Sequence, residues 1–193
     1  MNKLSRQDLM SLEEYAEQRE GFRAQVMAHK KQRRVALGGH LALYFEDRLT
    51  IQYQIQEMLR VEKLFEKAAI EEELMAYNPL IPDGTNWKAT MMIEFDDPAQ
   101  RRRALIEMKG IEECVWTKIG NEQRIWAIAD EDLERSNEEK TSAVHFLRFE
   151  IPVSQIAALK AGAALFFGVE HLTYCFSCEI LPPVRERLVA DLT

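Results

Sequence analysis

The sequence predicts an α+β fold in which a helical N-terminal half with a small hairpin packs on a C-terminal mixed sheet with helices on one face. Three observations carry this expectation. Apolar residues recur at three- and four-residue steps through residues 1–80; strand-like runs alternate with helix-like runs beyond residue 85; and two stretches of that second half share the order strand, proline, helix, glycine, strand. At 193 residues the chain can bury a substantial core without disulfides or metals, so a single compact domain spanning 1–193 is expected, mainly helical over 1–80 and α+β over 85–193.

Leu9, Leu12, Tyr15, Ala16, Phe22, Val26 and Met27 lie mostly at helical spacing, with Ser5 or Ser11 as N-cap, and predict a helix ending near Arg34. Lys30, Lys31, Arg33 and Arg34 then occupy its last turn, where free carbonyls favour cations. Gly38 and Gly39 separate two β-prone runs and predict a hairpin. From Thr50 the apolar positions Ile51, Ile55, Met58, Leu59 and Phe65 mark one face of a long helix, continuing with a kink to Tyr77. Asn78, Pro79, Pro82, Asp83 and Gly84 break it into a loop.

The first strand-helix-strand unit runs from KATMMIEF through Pro98 and Gly110 to CVWTKI, and RIWAIA follows across a turn at Asn121. The polar stretch EDLERSNEEKTS is expected to be a surface loop. AVHFLRFEI, Pro152, SQIAALKA, Gly162 and AALFFGV form the second unit, a weak internal repeat of the first. LTYCFSCEI reads as an extended segment, followed by a short helix after Pro182 and Pro183.

Charged residues make up 30% and hydrophobic residues 47% of the chain, the balance of a folded water-soluble protein. A net charge of -7 disfavours nucleic acid and anionic membrane surfaces as partners. No apolar run approaches the roughly 18 to 20 residues that span a bilayer, and the N-terminal segment lacks an apolar signal core. Cys114, Cys175 and Cys178 are few and odd in number, which suits a reducing compartment; the expectation is a cytoplasmic protein.

The chain lacks a phosphate loop, a nucleophile elbow, a His-Glu-x-x-His pair and a dinucleotide fingerprint, so it names no reaction. Three constellations remain. His171, Cys175 and Cys178 offer three soft metal ligands or a dithiol, but an alternating strand places residues three apart on opposite faces, which favours a structural role. His29, His40, His145 and His171 have no metal-ligand spacing; His29 and His145 are the metal candidates, set against the reading of hydrogen-bonded structural histidines. The third is a ligand-binding set from the long helix and the loop after it: Tyr53, Glu57 and Arg60 on one helical face, with Asn86, Trp87 and Lys88. A salt-bridge network anchoring the loop competes with that reading.

The runs AHKKQRRVALGGH, FEDRLTIQYQIQEMLRVEK, NPLIPDGTNWKATMMIEF and IADEDLERSNEEKTSAVHFLRFE, with IAALKAGAAL, resemble a bacterial family known as a domain of unknown function. That resemblance implies genes encoded beside a rubrerythrin-like di-iron protein and an iron-sulfur oxidoreductase. The function it suggests is a non-catalytic accessory or binding protein of an oxidative-stress redox system, with one of those proteins as partner and a homodimer as the assembly. A metal-dependent enzyme or a small-molecule binder using histidines and the 78–88 loop is the alternative.

Overall fold

The computed structural model describes residues 3–133 and 135–193. Helix α1 (Leu12–Lys31) starts at Ser11, whose hydroxyl accepts from the Glu14 amide at 3.2 Å while the Glu14 carboxylate accepts from the Ser11 amide at 2.9 Å. It stops short of Arg34, which opens β1 (Arg34–Ala36) of the hairpin with β2 (Leu41–Phe45). Gly38 turns that hairpin at a φ of 81°, and a Cβ there would overlap the Tyr174 hydroxyl.

The long apolar face beyond Thr50 belongs to two helices, α2 (Arg48–Glu62) and α3 (Lys67–Tyr77). Lys63 enters the left-handed region at φ 55°, and the Leu64 amide donates back to the Leu59 carbonyl, which closes α2 before α3 begins. Leu4, Ile51, Ile55, Leu59, Leu74 and Ile81 form a core among these helices.

The second half contains β3 (Asn86–Ile93), α4 (Pro98–Glu107), β4 (Val115–Ile119), β5 (Ile125–Trp126), β6 (Ile128–Ala129), β7 (Val144–Glu150), α5 (Val153–Lys160), β8 (Leu165–His171), β9 (Tyr174–Glu179) and α6 (Pro182–Ala190). The class is α+β, with two sheets in place of one mixed sheet. A five-stranded sheet runs β1-β2-β3-β7-β6 and a four-stranded sheet β5-β4-β8-β9, and every described pairing is antiparallel. Helices α4 and α5 do not return their strands to the sheet they left: β3 pairs with β7 in one sheet and β4 with β8 in the other. The two strand-helix-strand units therefore repeat in topology as well as in sequence.

The physical reason lies in the helices. They are short, burying Ala104 and Leu105 from α4 and Ile156 and Leu159 from α5, too little apolar surface to cover a sheet. The apolar rows cover one another instead. Phe45, Trp87 and Phe149 of the larger sheet meet Phe167 of the smaller at ring-centroid distances of 5.0, 5.8 and 5.4 Å. At one border the chain crosses between sheets at Ala127, whose amide donates to Val115. At the opposite border the Tyr174 hydroxyl donates to the Leu37 carbonyl at 2.6 Å.

The helical layer is tied to the sheets through Arg33, 2% exposed, which donates to the carbonyls of Phe45 and Glu46 and to the carboxylate of Asp191. No described helix is long and apolar enough to cross a membrane.

Candidate functional site

The six residues of the helix-and-loop set do not gather around one space. Tyr53 is buried against the Phe22 ring, 6.1 Å away. Glu57 accepts from the Tyr15 hydroxyl at 2.7 Å and from Arg19 at 2.8 and 2.9 Å, and Arg60 reaches it at 3.4 Å. The hydrogen bonds from Arg19, above all, hold the Glu57 carboxyl down at about 2. That group is the α1–α2 clamp. Trp87 points into the core and donates to the Leu188 carbonyl at 2.8 Å, whereas its neighbours on β3 face outward. Asn86 donates to Asp83 and to Glu150 at 2.8 and 2.9 Å. Of the six, Lys88 lines a cavity on the outer face of the larger sheet.

The histidines also stay apart. His29 Nε2 lies 2.5 Å from Asp47 Oδ2, where Asp47 is the N-cap of α2. His40 stacks on Phe95 at 3.9 Å, and His171 contacts Thr173 and the Lys109 carbonyl. His145 has the richest surroundings. Glu112, Asp130 and His145 form the one group of possible metal ligands among the described residues.

His145 is fully buried. Its Nδ1 faces Asp130 Oδ2 at 2.5 Å; its Nε2 faces Thr141 Oγ1 at 2.8 Å and the Ser142 carbonyl at 3.1 Å. The Thr141 hydroxyl donates to Glu112 Oε2 at 3.0 Å and the Ser136 hydroxyl to Glu112 Oε1 at 2.5 Å. Each ring nitrogen thus faces oxygen atoms, and Thr141 links the ring to Glu112. Burial is the largest influence on Glu112 and raises its carboxyl, yet the Ser136 bond, its own amide and His145 together bring it below its usual value. A shared metal needs all three residues to aim lone pairs at one point. Here the imidazole lies between the two carboxylates, each facing a different ring nitrogen. The geometry is that of a hydrogen-bond relay.

The relay fixes the loop that follows β6. Asp130 adopts a positive φ of 49°, supported by its Oδ1, which accepts from the Phe146 amide at 2.9 Å. Arg135 donates to Asp130 and Asp132, and its guanidinium sits 4.5 Å above the Phe146 ring. Glu131 and Asp132 are thereby held over the outer face of the larger sheet.

That face carries the cavity, about 280 Å³, lined in part by Pro79, Leu80, Glu131 and Asp132. Its floor follows from strand register. Lys88 pairs with Arg148 across β3 and β7, and the Glu46 amide donates to the Lys88 carbonyl at 2.8 Å just beyond β2. Glu46, Lys88 and Arg148 thus form one cross-strand row, and Thr90 and Phe146 form the next. Arg148 is taken by Glu131 at 2.7 Å and by Glu150. Lys88 Nζ donates to the carbonyls of Pro79 and, at 3.1 Å, Ile81, and burial pushes its ammonium below the usual lysine range.

A family model described as "Protein of unknown function (DUF3501)" matches residues 3–192. The chain belongs to that family. It is also similar to a protein of unknown function from Burkholderia pseudomallei K96243, whose crystal structure was determined at 1.90 Å resolution, with 50% identity over 100% of both chains and a TM-score of 0.94. No curated protein matches it.

In this family member Cys175 and Cys178 both lie on β9, and both are free thiols. Their offset of three sends the side chains to opposite faces. Cys178 packs at the core margin with its sulfur 3.7 Å from the Ala36 carbonyl, and Cys175 is exposed. Phe176, on the same side of β9 as Cys178, is 40% exposed beside the Gly38 turn.

Glu46, Glu112, Asp130 and Arg148 were not legible as site residues. For Arg148 a signal existed: in HFLRFE it alternates with apolar residues and so must leave the inner face. Glu46 stands directly before the N-cap Asp47 and reads only as the approach to a helix.

Proposed function

We propose that this protein binds a small organic molecule in the cavity on the outer face of the larger sheet, with Lys88 holding the ligand's acid group. One observation supports this above the rest. The Lys88 ammonium is half-buried and, among the described residues, has two backbone carbonyls as partners and no carboxylate at salt-bridge distance. A desolvated cation left without its counterion is costly in a finished core, and natural where a ligand supplies the anion. The cavity volume lies just below the usual ligand-pocket range, which suits a small ligand, and Leu80 and Phe146 give it apolar surface beside the charge.

A thermal-shift screen of small carboxylic and phosphorylated acids tests this reading. Binding should be saturable and should weaken about tenfold or more in K88M, the value of one lost charge-assisted hydrogen bond. Equal binding by K88M would refute it.

The same role suits an accessory protein of an oxidative-stress redox system, with a rubrerythrin-like or iron-sulfur protein as partner, which is the context that the family resemblance implies. Co-purification of either partner with the tagged chain from a native host extract, changed by the ligand found in the screen, would support that context.

A further inference from the structure

We infer that the acid held by Lys88 also carries an ammonium group, as an α-amino acid does, and that Glu46 is the ammonium's partner. This rests on the binding reading above and narrows it to a ligand class.

Glu46 is 7% exposed, and its Oε1 accepts a hydrogen bond from Thr90 at 2.7 Å. Among the described residues no cation comes within salt-bridge distance of it. A carboxylate so withdrawn from water ordinarily has a cation beside it. Its neighbour across the strands is Lys88, the ammonium without a carboxylate, and the two line one cavity. They do not join each other, because Lys88 turns to Pro79 and Ile81 while Glu46 turns to Thr90.

The other charged side chains of the cavity have partners at salt-bridge distance. Arg148 is met by Glu131 and Glu150, and Asp132 by Arg135. Lys88 and Glu46 remain, with no opposite charge at salt-bridge distance among the described residues, in one cross-strand row where directly opposed Cβ atoms stand roughly 4.5 to 5.5 Å apart. A simple anion would gain Lys88 but face Glu46; a simple cation would gain Glu46 but face Lys88. A short zwitterion satisfies both. Leu80 and Phe146 line the same space and offer an apolar surface to its side chain.

The test compares, by titration calorimetry on the full chain, the twenty common α-amino acids with their matched α-deamino carboxylic acids and their amides. The expected result is that at least one amino acid binds about tenfold or more tightly than both of its analogues. In E46Q, which retains an acceptor for Thr90, the preference over the deamino acid should vanish while binding of the acid itself persists; K88M should weaken both. Deamino acids that bind as well as amino acids, with E46Q unchanged, would overturn the inference and leave the acid-binding reading standing. No binding by any member of the panel would overturn this inference, and only failure of the wider acid screen would remove the acid-binding reading. The wild-type comparison of analogues decides the matter even if E46Q does not fold.

Discussion

The two charged assemblies flanking the loop after β6 differ in completeness. In the His145 relay every polar atom described has its partner: Asp130, Thr141, Ser142, Glu112 and Ser136 form one continuous chain of hydrogen bonds. In the cavity a few residues away, the half-buried Lys88 and the buried Glu46 have hydrogen-bond partners but no opposite charge at salt-bridge distance among the described residues. A histidine amid carboxylates is the more familiar sign of chemistry, yet it is the closed assembly. On the proposed reading, charges without an opposite partner, rather than residue type, mark the binding site.

Breaking the relay gives the largest expected effect. H145A removes the imidazole that links Asp130 to Thr141 and Glu112 and leaves buried polar groups short of partners, at a cost of about 3 to 5 kcal/mol. Urea unfolding should show that loss as a lower midpoint with an unchanged slope. If H145A instead left stability intact while abolishing stoichiometric binding of zinc or iron by the wild-type chain, the relay would be a metal site and the contrast would reverse.

Next in size is K88M, which should move the two measures apart. Stability should stay within about 1 kcal/mol of wild type, because a desolvated charge is lost along with two carbonyl hydrogen bonds. Ligand binding should fall about tenfold or more. A large loss of stability in K88M would class Lys88 with His145 as scaffold.

A third expectation concerns the α1–α2 clamp. Glu57 has a folded pKa of about 2 against an ordinary value of 4.5, so its contribution is complete above 4.5 and disappears as the pH falls toward 2. E57Q should lose about 1 kcal/mol at pH 7, discounted because the pair with Arg19 is partly open to water, and should flatten the acid limb of the stability curve. An acid limb of the same steepness in E57Q would show that other carboxylates govern acid unfolding.

Much of this contrast was out of reach of the sequence, for reasons tied to particular residues. Helix α1, the Gly38 hairpin, the Pro98 helix start and the alternating rows of β7 follow from local rules of capping, turn geometry and period. The splitting of the strands into two sheets does not, because it depends on how much of the sheet surface the short helices α4 and α5 leave bare. Trp87 and Lys88 were adjacent candidates, and the pleat alone sends them to opposite faces. Glu46 needed the register across β2 and β3 to bring it beside Lys88, and Asp130 needed the turn after β6 to bring it to His145. Within 78–88, Asn86 is tied by hydrogen bonds to Asp83 and Glu150, whereas Lys88 has backbone carbonyls as its partners.

The smallest effect is expected at the cysteines, where the same distinction holds for thiols. Cys175 faces solvent, while Cys114 and Cys178 are partly buried and burial raises both of their pKa values, which keeps the reactive thiolate scarce. Iodoacetamide on the folded protein should therefore modify one thiol quickly and two slowly, with the fast phase absent in C175S. Stability should hardly change in that variant, since Cys175 contributes nothing to the core. The strand also forbids a bridge: a disulfide needs Cβ atoms roughly 3.5 to 4.5 Å apart, and side chains three residues apart on β9 diverge. Mass spectrometry after mild oxidation should find no link between Cys175 and Cys178. A reversible disulfide there would mean that β9 opens in solution, and would return the pair to the search for a redox function.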